Sequence, residues 1–556
     1  MSSAVGVHEP SARYLGTPVP LPVRYFDQLA LASDGVARLR DLILTLAVQG
    51  KLLSQNPSDE PATALLERIA LSLTSKVSDS RHAPAFTRND GEPFEVPAAW
   101  AWVRFGEVAE VSGGVTLGRK GLIKDAVSLP YLRVANVQRW HVNCRDLKTI
   151  AVSSSELARF RLRKGDLLIT EGGDWDKVGR TAIWHGEVPD CLHQNHVFRA
   201  RGTTTDWNPA WAELYLNSPV ARAYFAASAK QTTNLASINM TQLKGCAFAV
   251  PPLAEQARIV ARVDELMRLC DALEEKGRLE AEQQARLLST LLGTLTDSAT
   301  PEELAANWQR VAEHFDLLLD RPEAVDALEA TILRAAVRGL LLPNGREVGP
   351  ASDAGVMANG WARVRLDSVV SMLNGYAFKS DWFRPHGVRV LRNVNVGHGT
   401  TDWASSACVT PEIADEYKRF ELAEGDLVLS LDRPIISTGL KLATVRASDL
   451  PCLLLQRVAR LAPDLQRISR DYLKLWMRSD RFIGAIDPGR SNGVPHISTK
   501  QVGELLMDLP PLAEQAGIVA RVTELRRLCA TLRERLQAQQ ATQSRLADAL
   551  VEQAVA

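Results

Sequence analysis

The chain has 556 residues, 46% of them apolar and 23% charged, and its 65 Lys+Arg cancel its 65 Asp+Glu. This composition excludes wholesale disorder and collagen-like architectures, and the charge balance by itself points to neither nucleic acid nor membrane. No apolar run approaches the roughly 18 residues of a spanning helix, and seven cysteines without a CxxC pair argue against a disulfide framework or zinc site and suit a reducing cytoplasm.

In chain order, residues 1–22 (MSSAVGVHEPSARYLGTPVPLP) carry no basic stretch ahead of an apolar core, so they read as an unstructured leader rather than a secretory signal. Residues 23–99 read as a helical region, with Leu42-Ile43-Leu44 and Ala47-Val48-Gln49-Gly50, followed by a linker over 54–99. Residues 100–250 open on WAWVRFGEV and carry a β-rich run at 166–170, Gly-rich loops and one late helix near 210–224, the pattern of an α+β domain. Residues 251–360 hold a long helix opened by Pro251-Pro252, then a short helix and a linker. Residues 361–509 form a second α+β domain, with a β-rich run at 426–430 and a helix near 471–483, and residues 510–556 a second long helix.

The chain repeats itself. PPLAEQARIVARVDELMRLCDAL at Pro251 and PPLAEQAGIVARVTELRRLCATL at Pro510 agree at 18 of 23 positions, at a shift of 259. YLRVANV at Tyr131 echoes VLRNVNV at Val390, RKGDLLIT at Arg163 echoes AEGDLVLS at Ala423, and ASINMTQLK at Ala236 parallels PHISTKQVG at Pro495. A period this long means two copies of one unit, about 26–297 and 315–556, not a solenoid. In the long helices, Ile259, Val263, Leu266, Cys270, Leu273, Leu287 and Leu291, and Ile518, Val522, Leu525, Cys529, Leu532, Leu536, Leu546 and Leu550, fall in steps of three and four, the repeat of a coiled-coil seam.

Charge is uneven across these parts. Residues 100–250 carry 19 Lys+Arg against 13 Asp+Glu and residues 361–509 carry 20 against 17, so two mildly basic domains are joined to an acidic helical frame. Motifs for chemistry fail. Gly113 to Gly121 nearly spells a phosphate loop, but Arg119 stands where lysine belongs and no Ser or Thr follows. Asn208-Pro209-Ala210-Trp211 resembles an adenine-gripping methyltransferase loop without its second proline, and reads as a helix N-cap. Cys270 and Cys529 fall on the seam as core. His185, His193 and His196 cluster, but the second copy has no histidine at those places, so no metal site is assigned. A duplicated chain without a shared catalytic set reads as a binder whose two unlike domains contact two unlike half-sites.

The doubled PPLAEQ-x-x-IV, the GDLL and GDLV strands at Gly165 and Gly425, and the Trp-x-x-Val-Arg openings at Trp100 and Trp361 closely resemble the specificity subunit of type I restriction–modification enzymes. The resemblance implies two α+β target recognition domains separated by two long antiparallel coiled-coil helices in a pseudo-two-fold duplicated unit. It also implies a non-catalytic, cytoplasmic subunit that reads an asymmetric bipartite site on double-stranded DNA. The helices would dock two modification subunits, and restriction subunits would join them. No cofactor is expected on this chain; S-adenosylmethionine, ATP and Mg are expected on the partners. Base contacts vary in this family, so the candidates are polar and basic residues of cognate loops. They are Lys120, Arg133, Asn136, Gln138, Arg139, Lys177, Arg180, Lys230 and Asn239 in the first copy, and Lys379, Arg392, Asn393, Asn395, Arg433, Lys441, Arg490, Asn492 and His496 in the second. Ile259, Val263, Leu266, Ile518, Val522 and Leu525 are expected to hold the frame. Two alternatives stand beside this reading: a coiled-coil scaffold with non-DNA ligand domains, and a stand-alone methyltransferase.

Overall fold

In a computed structural model of the chain, the apolar runs Leu167–Thr170 and Leu427–Ser430 become strands buried along their whole length. Alternate side chains feed different cores: Leu167 and Ile169 one, Leu168 another, with Leu427 and Leu429 set against Val428 in the same way. The structure describes residues 34–76, 92–118, 126–173, 177–232, 235–298, 301–342, 360–436, 439–486, 489–491 and 494–555. The leader 1–22 lies outside them. The chain divides into two units, Met1–Arg278 with Gln540–Ala556, and Leu279–Gln539.

In unit one, Ala109–Ser112, Val197–Gly202, Leu167–Thr170 and Thr181–Ile183 form a four-stranded antiparallel sheet in that order. A smaller sheet places Val127–Leu132 between Leu192–His193, parallel, and Lys148–Val152, antiparallel. Unit two repeats both. Val370–Asn374, Val458–Pro463, Leu427–Ser430 and Leu442–Thr444 form the large sheet, and Val388–Leu391 lies between parallel Cys452–Leu454 and antiparallel Cys408–Val409. The duplicated α+β expectation is met in topology as well as in sequence.

Each α+β domain closes on itself by pairing its first and last strands, Ala101–Arg104 with Ala247–Val250 and Ala362–Arg365 with Leu506–Leu509. The last strand then runs through Pro-Pro into a long helix, Leu253–Asp297 or Leu512–Val555. A polar tie, buried in unit one and half-buried in unit two, fixes this junction. The Trp100 indole donates to Glu255 at 3.0 Å and the Trp361 indole to Glu514 at 2.8 Å, each glutamate standing in the first turn of its helix. The neighbouring glutamine amides, Gln256 and Gln515, donate back to the Pro251 and Pro510 carbonyls at 2.9 and 2.8 Å. Under each indole lies the glycine that ends a leading helix, Gly50 after Gly35–Val48 and Gly339 after Pro322–Val337, both with left-handed backbone.

Three local expectations are corrected. The single late helix of each domain is two: Pro209–Asn217 and Pro219–Ser228 break at Ser218-Pro219, and Arg470–Met477 and Asp480–Ala485 at Ser479. Proline lacks the amide that would continue the ladder, and Ser218 caps the next turn. The linker over 54–99 contains a helix, Ala62–Lys76, whose Ala62, Leu65, Leu66 and Ile69 are buried in the unit-one core. Finally, the far ends of the seam shift by one residue. Leu287 and Leu546 are 44% and 54% exposed, while Leu288, Leu292, Leu295, Ala547 and Ala554 are buried. Cys270 to Leu288 and Cys529 to Ala547 each span 18 residues, which is five turns at about 3.6 residues, whereas a 3.5-residue seam drifts off a straight helix. Ile259, Val263, Leu266, Ile518 and Val522 are buried, and Leu525 is partly buried against the unit-two core.

A Cβ on Gly339 would stand 2.8 Å from the Trp361 ring, at a φ of +78°. Gly339→Ala should therefore lower unfolding stability by about 2 kcal/mol, combining left-handed backbone strain with overpacking. Gly277→Ala, in open space in the first long helix, should raise it by about 0.5–1 kcal/mol. Chemical denaturation of the two variants checks the opposite signs.

Candidate nucleic-acid interface

Several of the expected contact residues turn inward, and they do so identically in both units. Asn136 is buried; its carbonyl oxygen accepts from the Arg133 amide at 2.9 Å and its amide donates to the Asn143 and Asp146 carbonyls at 2.9 and 3.1 Å. Asn395 does the same with the Arg392 amide at 3.1 Å and with Asp402 and Ser405 at 2.8 Å each. The Arg133 guanidinium closes on Asp146, and that of Arg392 on Ser405. Each Arg-x-x-Asn therefore staples a loop, and the two asparagines have no polar group left for a base edge. Asn239 caps the helix Met240–Lys244, accepting from the Gln242 amide at 2.9 Å. The glycine of the near-phosphate loop has a structural use as well: a Cβ on Gly114 would stand 1.9 Å from the His193 carbonyl, and on Gly375, 2.1 Å from that of Leu455. Asn208 caps its helix, accepting from Ala210 and Trp211 amides. Burial pushes the Cys191, Cys246 and Cys452 thiols up to about 12, and an un-ionised thiol is a poor nucleophile.

Other candidates converge on one polar edge in each unit. In unit one the hairpin of Val137–Gln138 and His141–Val142 turns through Arg139 and Trp140. Arg180 donates to Gln138 at 2.8 Å, and Arg139 to Asn217 at 3.0 Å. The Thr170 hydroxyl donates to the Lys177 carbonyl and accepts from the Arg180 amide, which ties the loop 177–180 to the end of the central strand. Beyond it, Glu171 bonds His196, and Gly172–Gly173 pairs with the hairpin whose first strand opens on exposed Lys230. In unit two the Lys441 ammonium donates to the Asn393 carbonyl, from the position just before a strand that Arg180 holds in unit one. His196 gives way to Arg457, and His496 sits between Asp432 at 2.8 Å and Arg457 at 3.2 Å. Burial and the Arg433 guanidinium hold the Lys441 ammonium below its ordinary range. Lys379 lies apart, over the Trp382 ring at 5.4 Å. The Arg490 backbone pairs with Pro495; Lys120 and Asn492 lie outside the described residues.

Three of the five described non-glycine residues with positive φ, Trp140, Arg433 and Arg457, stand at these edges, the others being Asp34 and Asp190; the conformation costs free energy and is often kept where function needs it. Sequence reading passed over Trp140, Asp432 and Arg457. The available signal was the internal alignment, which sets Trp140 against Gly399 and His196 against Arg457. The histidines diverge: His193 is buried with Nδ1 on the Val197 carbonyl at 2.7 Å, His196 faces Glu171, and His185 is exposed.

Comparison with known proteins bears on this edge. The family model for the type I restriction modification DNA specificity domain matches residues 97–283. The chain is 35% identical over 576 aligned residues to the type I restriction enzyme EcoAI specificity subunit of Escherichia coli, covering 94% of both chains. It is 26% identical to the EcoEI specificity subunit of the same species, again over 94% of each. A solved chain from a study of complex assembly and conformational transition in the type I R-M system shares the fold, with a TM-score of 0.50 at 18% identity over 83% of this chain and 99% of that one.

Burial lowers the folded pKa of His193 to about 4, below its unfolded value near 6.5. Its stabilisation is present above pH 6.5 and is lost as pH falls through that value toward 4. Burial raises Glu213 to about 7, so its contribution has the opposite sign: present below about pH 4.5 and lost as pH rises through 7. His193→Leu, which installs the residue of the second copy (Leu454), removes the first effect alone. Relative to the parent, its unfolding free energy should improve by about 2 kcal/mol between pH 7 and pH 5, as measured by denaturant titration at the two pH values.

Proposed function

Because the chain belongs to the specificity subunits of type I restriction enzymes, whose task is DNA sequence recognition rather than catalysis, we propose that each of its units reads one half of an asymmetric bipartite site. One observation carries this: the two units repeat a scaffold and differ at its edge. The Arg-x-x-Asn staples and the orders of the four-stranded sheet and of the sheet beside it are the same, whereas Gln138 with Arg180 is replaced by the Asn393 carbonyl with Lys441, and Glu171 with His196 by Asp432, His496 and Arg457. A bidentate guanidinium or amide discriminates base edges, and an ammonium is a point charge suited to phosphate. Equal scaffolds bearing unlike donors are suited to unlike half-sites.

Residues 100–250 and 361–509 are then the target recognition domains. Gln138, Arg139, Lys177, Arg180 and Lys230 in the first, and Asn393, Arg433, Lys441, Arg490 and His496 in the second, are the DNA-contacting set. Arg133, Asn136, Arg392, Asn395 and Asn239 hold the loops that present it. The subunit works in a complex with DNA and other subunits: two modification subunits on the long helices, with restriction subunits joining them in the cytoplasm. S-adenosylmethionine, ATP and Mg belong to those partners. No described helix is long and apolar enough to cross a membrane.

Exchanging residues 100–250 for the same segment of a relative should change one half of the methylated motif and leave the other intact. Methylome sequencing of a host carrying the complete system reads this directly; a change in both halves would overturn the assignment of one domain per half-site. In the assembled complex, Arg180→Ala should weaken DNA binding by about 1–3 kcal/mol and relax the sequence preference of one half-site only, as read by binding to duplexes varied in each half.

A further inference from the structure

Trp140 occupies a position that ordinary folding does not give to tryptophan. It is the second residue of the two-residue turn between Val137–Gln138 and His141–Val142, with a φ of +73°. A side chain there is strained, and turns of this kind favour glycine or asparagine. Unit two places glycine at the matching point: Gly399, φ +98°, donates its amide to Leu442 at 2.8 Å, as Trp140 donates to Thr181 at 3.1 Å. The fold of this domain therefore needs the backbone of residue 140 and not its indole.

The indole is also turned outward. Trp140 is 42% exposed, and among the described tryptophans only Trp308 is comparably so. It stacks on no other ring among the described residues. Around it stand groups that suit a nucleic acid: Gln138 across from His141, and Arg180 bonded to Gln138. Arg139 turns inward to buried Asn217, so the indole stands as an exposed flat ring on a hairpin whose Gln138 holds the Arg180 guanidinium, an arrangement suited to base–aromatic stacking beside a polar contact.

We propose that Trp140 is a DNA-contacting residue of unit one, laying its ring against a base of that unit's half-site, and that unit two, with glycine there, makes no such contact. This rests on the reading of unit one as a DNA-recognition module. It goes beyond that reading by assigning an aromatic, salt-independent contact to one half-site only.

The test uses the full chain assembled with its modification subunits and a duplex carrying the motif found by methylome sequencing, with a scrambled duplex as control. Affinity is measured by fluorescence anisotropy across a salt series. Trp140→Gly adopts the second copy's residue, so its melting temperature should stay within about 2 °C of the parent. It should weaken binding to the motif duplex by about tenfold to a hundredfold with the salt slope unchanged, because stacking releases no counterions. Trp140→Phe, which keeps a ring, should recover most of the loss. A Trp140→Gly complex that binds the motif as tightly as the parent would overturn the inference while leaving the functional reading in place. A parent complex that does not separate the motif from the scrambled duplex would overturn both.

Discussion

The indole-to-glutamate tie at the root of each domain organises the rest of the structure. It joins three segments distant in sequence: the glycine end of a leading helix, the residue before the first strand, and the first turn of a long helix. In unit one, where Glu255 is buried, a carboxylate without a donor would be costly, and in both units a buried indole N–H without an acceptor would be too, so the pair favours having both segments in place. In unit one Glu255 accepts a second bond, from the Gln55 amide at 2.7 Å, which brings the chain leaving the leading helix into the same junction. The PPLAEQ motif is legible in these terms. Its prolines tolerate the donor-free start of a helix, its glutamate receives the indole, and its glutamine returns a bond to the proline carbonyl.

Two consequences follow for recognition. The first and last strands of each domain pair beside this junction, so chain entry and exit are neighbours and everything between them is an insertion on a fixed base. Within that insertion the buried Arg-x-x-Asn staples tie the loops to themselves. Among the differences between the two units are those at the polar edge, where Arg180, Lys441, His496 and Arg457 stand on a common frame with unlike chemistry. A site positioned by a rigid, repeated scaffold can vary its donors without refolding.

Strain at that edge agrees with this division. Trp140, Arg433 and Arg457 hold left-handed backbone in a protein that otherwise gives most such positions to glycine. Gly50 and Gly339, by contrast, are left-handed as the ends of helices, and Pro97 with Trp100 or the Trp361 indole leaves no room for a Cβ there.

The amino-acid sequence by itself determined the duplication, the two α+β domains, the long helices and the family. These are carried by local signals: an 18-of-23 identity, buried runs such as LLIT and LVLS, and turn chemistry at Gly165 and Gly425. Only the tertiary structure decided which polar residues face outward. Asn136 and Gln138 lie two apart, yet one is a buried staple and the other accepts from Arg180 at the edge, because burial depends on what the loop folds against, and composition does not record that. Tertiary packing also decided the far ends of the long helices. Leu287 and Leu288 are the same residue in a pattern, and the choice between them falls to the 3.6-residue turn of a straight helix and the core it meets.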